Sequence, residues 1–157
     1  MTPKAAKKLA RGSQSAPAIN PEQIEIDFVI LSDYAQAALG KLNLIGGGWN
    51  VYHAKQYPFA LPFGLGIGIL VPWPLTNRRH DFAFTIRASE GPELARGGGQ
   101  FEVGREAGMP AGMTQRVTIG LSGQLQILQP GTYEILVTTS GVEKRVTFEA
   151  LPVPLGS

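Results

Sequence analysis

The sequence predicts an all-β fold: an immunoglobulin-like β-sandwich of about eight strands, with a small open β-barrel as the alternative. Three observations carry this. Of 157 residues, 20 are Gly and 12 are Pro, too many breakers for an architecture of long helices. Short segments alternate apolar and polar side chains, separated by turn residues at sandwich-like spacing. No segment sustains the period of an amphipathic helix. The 43% apolar content suffices for one domain with its own core.

The elements follow in chain order. Residues 24–31, IEIDFVIL, alternate, with Ile24, Ile26, Phe28 and Ile30 on one face and Glu25 and Asp27 on the other. Tyr34 to Leu39 admits a short helical turn. Gly40-Lys41 turns the chain, and Leu42 and Leu44 restart a strand. Residues 60–71 form a third strand with Leu65, Ile67 and Ile69 on one face and Gly64, Gly66 and Gly68 on the other. Glycine weakens a strand, so a group must lie close against that bare face. Trp49 or Tyr52 is the expected cover.

Residues 80–88 form the next strand, with Phe82, Phe84 and Ile86 inward. Residues 89–99, which include Gly97-Gly98-Gly99, read as a polar loop, and residues 100–105 as a short strand. Residues 116–121 alternate again until Gly123 breaks the pattern. Leu125 and Ile127 lead into the turn Gln129-Pro130-Gly131. The last two strands are joined by the two-residue turn Ser140-Gly141. Tyr133, just after a Gly turn, is placed to hydrogen-bond back across a sandwich corner. The first strand carries few charges on its Val29 and Leu31 side. It is therefore expected to lie at an edge, paired with a partner or covered.

Charge divides the chain. Residues 1–20 hold Lys4, Lys7, Lys8 and Arg11 and no acid, which makes them a basic arm of charge +4. Ten basic and twelve acidic side chains remain, so the net charge of +2 and the pI near 9.0 belong to the arm. The expected organisation is a disordered basic arm over 1–20, a sandwich domain over 21–151 and a Pro-rich tail over 152–157. The arm suits weak, non-specific, salt-sensitive nucleic-acid binding. It has no interleaved aromatic for stacking on bases. Neither a secretory signal nor a membrane span is present in the pattern, and the zero Cys count removes disulfides and thiol chemistry. A cytoplasmic protein is expected.

Chemistry-bearing motifs are sparse. His80 sits in Arg78-Arg79-His80-Asp81, but no nucleophile elbow accompanies it, and neighbours on a strand face opposite ways. His53 reads as surface. No metal-ligand spacing stands out, and no cofactor is expected. The glycine clusters lack the Lys-Ser/Thr of a phosphate loop. What remains is a set of aromatic and cationic side chains in connections and strand ends. Trp49, Tyr52, Trp73, Arg78, Arg79 and His80 are the candidate binding residues.

Several short motifs occur in a fixed order. They are Asp33-Tyr34-Ala35, Gly40-Lys41-Leu42-Asn43, Gly46-Gly47-Gly48-Trp49, Val71-Pro72-Trp73, Asn77-Arg78 with His80, Phe101-Glu102-Val103-Gly104-Arg105, and Pro130-Gly131 with Tyr133. In this order they resemble a family of small uncharacterised bacterial single-domain proteins, a domain of unknown function. The resemblance spans roughly residues 25–150. It implies a single domain and supplies no catalytic residues.

The expectation is a non-enzymatic module for protein interaction or self-assembly, a structural component of a larger bacterial or phage particle. The alternative is a small-molecule binder using the Trp49 and Trp73 region.

Overall fold

A computed structural model describes residues 22–156. The fold is all-β. Its ten strands are β1 (Glu25–Ser32), β2 (Tyr34–Ala38), β3 (Lys41–Ile45), β4 (Val51–Ala54), β5 (Phe59–Val71), β6 (Arg79–Ala88), β7 (Glu93–Glu102), β8 (Gln115–Ile127), β9 (Gly131–Thr139) and β10 (Val142–Pro152). They form a three-stranded sheet β1-β5-β8, a five-stranded sheet β4-β10-β9-β6-β7 and a two-stranded hairpin β2-β3. Neither large sheet closes on itself, so the described residues contain no closed barrel. The basic arm, with Lys4, Lys7, Lys8 and Arg11, lies outside the described residues.

The two large sheets face one another across a shared core. Leu65, Ile67 and Ile69 of β5 meet Ile86 of β6, Ile135 and Val137 of β9, and Phe148 of β10. Each of these side chains is essentially removed from water. Burial of that kind stabilises by about 1.5–3 kcal/mol per large side chain. The expected Ser140-Gly141 turn is present, with both residues at positive φ, 47° and 78°. Tyr133 donates its hydroxyl to the carbonyl of Gln129 at 2.6 Å, the corner contact its position foretold.

Several expected elements differ. The described residues form ten strands, not about eight. Tyr34 to Ala38 is a strand and not a helical turn, because it pairs with β3 from Tyr34↔Ile45 to Ala38↔Lys41. The supposed loop around Gly97-Gly98-Gly99 belongs to one ten-residue strand, β7. Gly97 and Gly99 pair with Phe84 and Phe82, whose rings cover the space a side chain would take. Gly123 does not break β8, since its bare position receives the ring of Phe63 across the ladder. The C-terminal strand runs to Pro152, one residue into the expected tail.

The phase of β1 also differs. A β-bulge lies between Ile26, opposite Ile69, and Phe28, opposite Gly68. One extra residue flips every later side chain to the other face. Ile24 and Ile26 therefore face the core together with Val29 and Leu31. Phe28 and Ile30 face outward. β1 does stand at an edge of its sheet.

That outer face carries a third layer. The bare glycines of β5 are covered closely, but not by Trp49 or Tyr52. A β-carbon at Gly68 would collide with the ring of Phe28, and one at Gly66 would lie 2.7 Å from Leu42. One at Gly64 would strike the backbone of Tyr34 and Ala35. Gly120 of β8, opposite Gly66, is pressed against the backbone of Gln36 and Ala37. The hairpin thus lies across β5 and β8 in a lane of missing side chains. Ser122 Oγ pins it, accepting from Ala35 N–H at 3.0 Å and donating to Ala35 C=O at 2.7 Å.

Candidate interaction site

The turn after β5 gathers four of the six candidate residues. Pro72 leads into a short 3-10 turn at Trp73–Leu75. Its carbonyl accepts from Leu75 N–H at 2.9 Å. Thr76 Oγ1 donates to Trp73 C=O at 2.7 Å. Asn77 adopts φ 59° and donates its N–H to Val103 C=O at 2.8 Å. His80 Nε2 lies 2.8 Å from Leu75 C=O, and since a carbonyl only accepts, this nitrogen carries the proton. The imidazole leans on Phe101 with ring centres 5.4 Å apart. His80 therefore acts as a brace for the turn. Arg78 and Arg79 precede it, exposed, with no ion pair among the described residues.

Arg105 completes this turn and was not singled out as a site residue. Its guanidinium carbon sits 4.1 Å from the centre of the Trp73 ring. Its Nε donates to Thr76 Oγ1 and a terminal nitrogen donates to Trp73 C=O, both at 2.7 Å. Only its place in the Phe101–Arg105 motif could have drawn attention to it.

Trp49 and Tyr52 belong elsewhere. Trp49 Nε1 donates to Asp33 Oδ1 at 3.1 Å, and its ring meets Phe148 edge-on at 5.7 Å. Tyr52 lies 5.9 Å from Trp49 and stacks on Phe59 at 5.4 Å. Tyr57 packs against Phe59 and donates to Leu151 C=O at 2.8 Å. Burial, with a smaller push from Tyr133, raises the Tyr57 phenol above its ordinary range. Phe59 begins the thirteen-residue strand β5 and Trp73 follows its end. At strand rise this separates the two ends by about 40 Å. The structure does not bring Trp49 and Trp73 into one cleft.

Two further surfaces escaped the sequence reading. The first is the hairpin tip. Leu39 and Gly40 have φ 51° and 71°, a type I′ pattern, and Leu39 is 100% exposed. Behind the tip, the cross-strand pair Tyr34 and Ile45 is 43% and 64% exposed. The second is a cleft of about 270 Å³ where β1 approaches β10, lined by Val29, Leu31, Trp49, Asn50, Val146 and Thr147. The cleft joins residues that only folding brings together. The one local signal was a leucine before Gly40, where Asn or Asp is usual.

These features define an all-β, sandwich-like domain, without an α-helix among the described residues, that carries a third-layer hairpin. Residues 27–149 match the family of unknown function DUF6941, and the chain belongs to that family. No curated protein matches it. No helix among the described residues is long and apolar enough to cross a membrane.

Proposed function

We propose that this chain is a non-enzymatic interaction or assembly module, a structural component that contacts protein partners or copies of itself. The larger bacterial or phage particle and the cytoplasmic setting expected from the sequence belong to this proposal. One observation carries it. The hairpin presents a fully exposed leucine in a backbone conformation that suits glycine or asparagine far better. An apolar side chain held in water at a strained position is a cost to the free molecule. Covering it by a partner offsets that cost. The platform under the tip is rigid, since the glycine lane and Ser122 tie the hairpin to the sheet.

A photo-crosslinking residue placed at position 39 in the native cells tests the proposal. Protein adducts are expected from position 39 and not from position 55, an exposed control. Recovery of the chain without adducts from either position overturns it.

A further inference from the structure

We propose that the leucine tip of one molecule docks into the β1–β10 cleft of a second copy, so that the chain assembles head to tail. This deepens the assembly reading and rests on it. Three features of the molecule carry the idea.

The first is a match of shape and polarity. The cleft is walled by Val29, Leu31, Trp49 and Val146, and at about 270 Å³ it is small. Its mostly apolar lining at the open β1 edge suits an apolar side chain carried on a narrow turn. Leu39 is such a side chain, wholly exposed at the end of a two-residue turn.

The second is a match of charge. Lys41 stands two residues from Leu39 and is exposed, and it has no ion pair among the described residues. Asp33 lies beside the Trp49 wall, taking the indole N–H at 3.1 Å. Among the described residues no cation answers its carboxylate. A tip seated in the cleft carries an unpaired cation toward an unpaired anion.

The third is placement. The hairpin leaves β1, crosses β5 at Gly64 and Gly66, and reaches β8 at Gly120 before it turns. The sheet order is β1-β5-β8, so the tip lies toward the β8 edge and the cleft at the β1 edge. A molecule cannot fill its own cleft with its own tip. Two different surfaces on opposite edges make a heterologous contact, which repeats into a ring or an open filament.

Sedimentation velocity of the full chain, from micromolar to millimolar concentration, tests this. The wild type is expected to form species larger than a monomer as concentration rises. Leu39→Asn removes the apolar anchor and suits the positive-φ turn better. It should weaken association by about thirty-fold or more, the scale of losing an interface anchor, while its melting temperature holds or rises. Thr147→Arg narrows the cleft margin and opposes Lys41 by like charge, and it should do the same. An equimolar mixture of the two variants retains one intact tip and one intact cleft. It should form one-to-one dimers and nothing larger.

A wild type that stays monomeric throughout overturns self-docking and leaves the crosslinking test to decide the assembly reading. Association unaffected by either variant overturns the tip-in-cleft contact but keeps self-assembly. Loss of association in both variants with no dimer in the mixture overturns the head-to-tail arrangement.

Discussion

The ring of Phe28 lies over Gly68, in the space that a β-carbon at position 68 would fill. The pairing depends on the bulge at Asp27, which turns Phe28 outward. Gly68→Ala should destabilise the chain by about 1–3 kcal/mol through overpacking. The same change in a Phe28→Ala background should cost much less. A double-mutant cycle from urea unfolding measures the coupling. Additive effects would show that the ring moves freely off the glycine.

Ser122 is the polar pin of the hairpin. Its hydroxyl both accepts from and donates to the Ala35 backbone, 87 residues away. Ser122→Ala leaves both Ala35 groups without that partner, at a cost of about 1–3 kcal/mol. Hydrogen exchange at Ala35 N–H should quicken more than exchange in β9. Equal change at both sites would mean that the hairpin and the sandwich open as one unit.

The turn after β5 depends on one planar cation. Arg105 stacks on Trp73 while donating to Trp73 C=O and Thr76 Oγ1. Arg105→Ala should expose Trp73 and shift its emission to the red, read in a Trp49→Phe background. Arg105→Lys should restore little, since an ammonium lacks the fork that reaches both acceptors. Full recovery with lysine would reduce the role to charge alone.

Tyr57 supplies a pH signature. Burial first, and Tyr133 second, raise its phenol above the ordinary value of 10.0. The folded chain therefore favours the neutral phenol, which donates to Leu151 C=O. Its contribution is fully present below the unfolded value and is lost as pH rises through the raised one. Wild type should exceed Tyr57→Phe in stability by about 1 kcal/mol near neutral pH. That advantage should vanish in strong alkali. A difference independent of pH would count against this bond.

The glycine pattern of β5 announced that something lies close, and that inference holds at all three positions. The identity of the cover was not readable, because Leu42, Ala35 and Phe28 reach the lane only through the hairpin crossing and the bulge. The proximity of Trp73 and His80 was legible because they share one turn, seven residues apart in the chain. Arg105 joins them through a contact across 32 residues, which no local pattern records. The Leu39 tip and the Val29–Trp49 cleft went unseen for related reasons. An exposed leucine looks like any other until its backbone angle is known, and a cleft between two sheets has no linear signature.

The sequence by itself determined the all-β class, the Ser140-Gly141 hairpin, the Tyr133 corner and the charge division between basic residues 1–20 and a mildly acidic remainder. These follow from turn chemistry, period-two patterning and composition, all of which act between near neighbours. Only the tertiary structure decided which face of β1 is buried, what covers the glycine lane and where the two tryptophans lie. A period-two pattern states that a strand has two faces. It cannot state which face meets the core once a bulge shifts the phase and a third layer buries the other side.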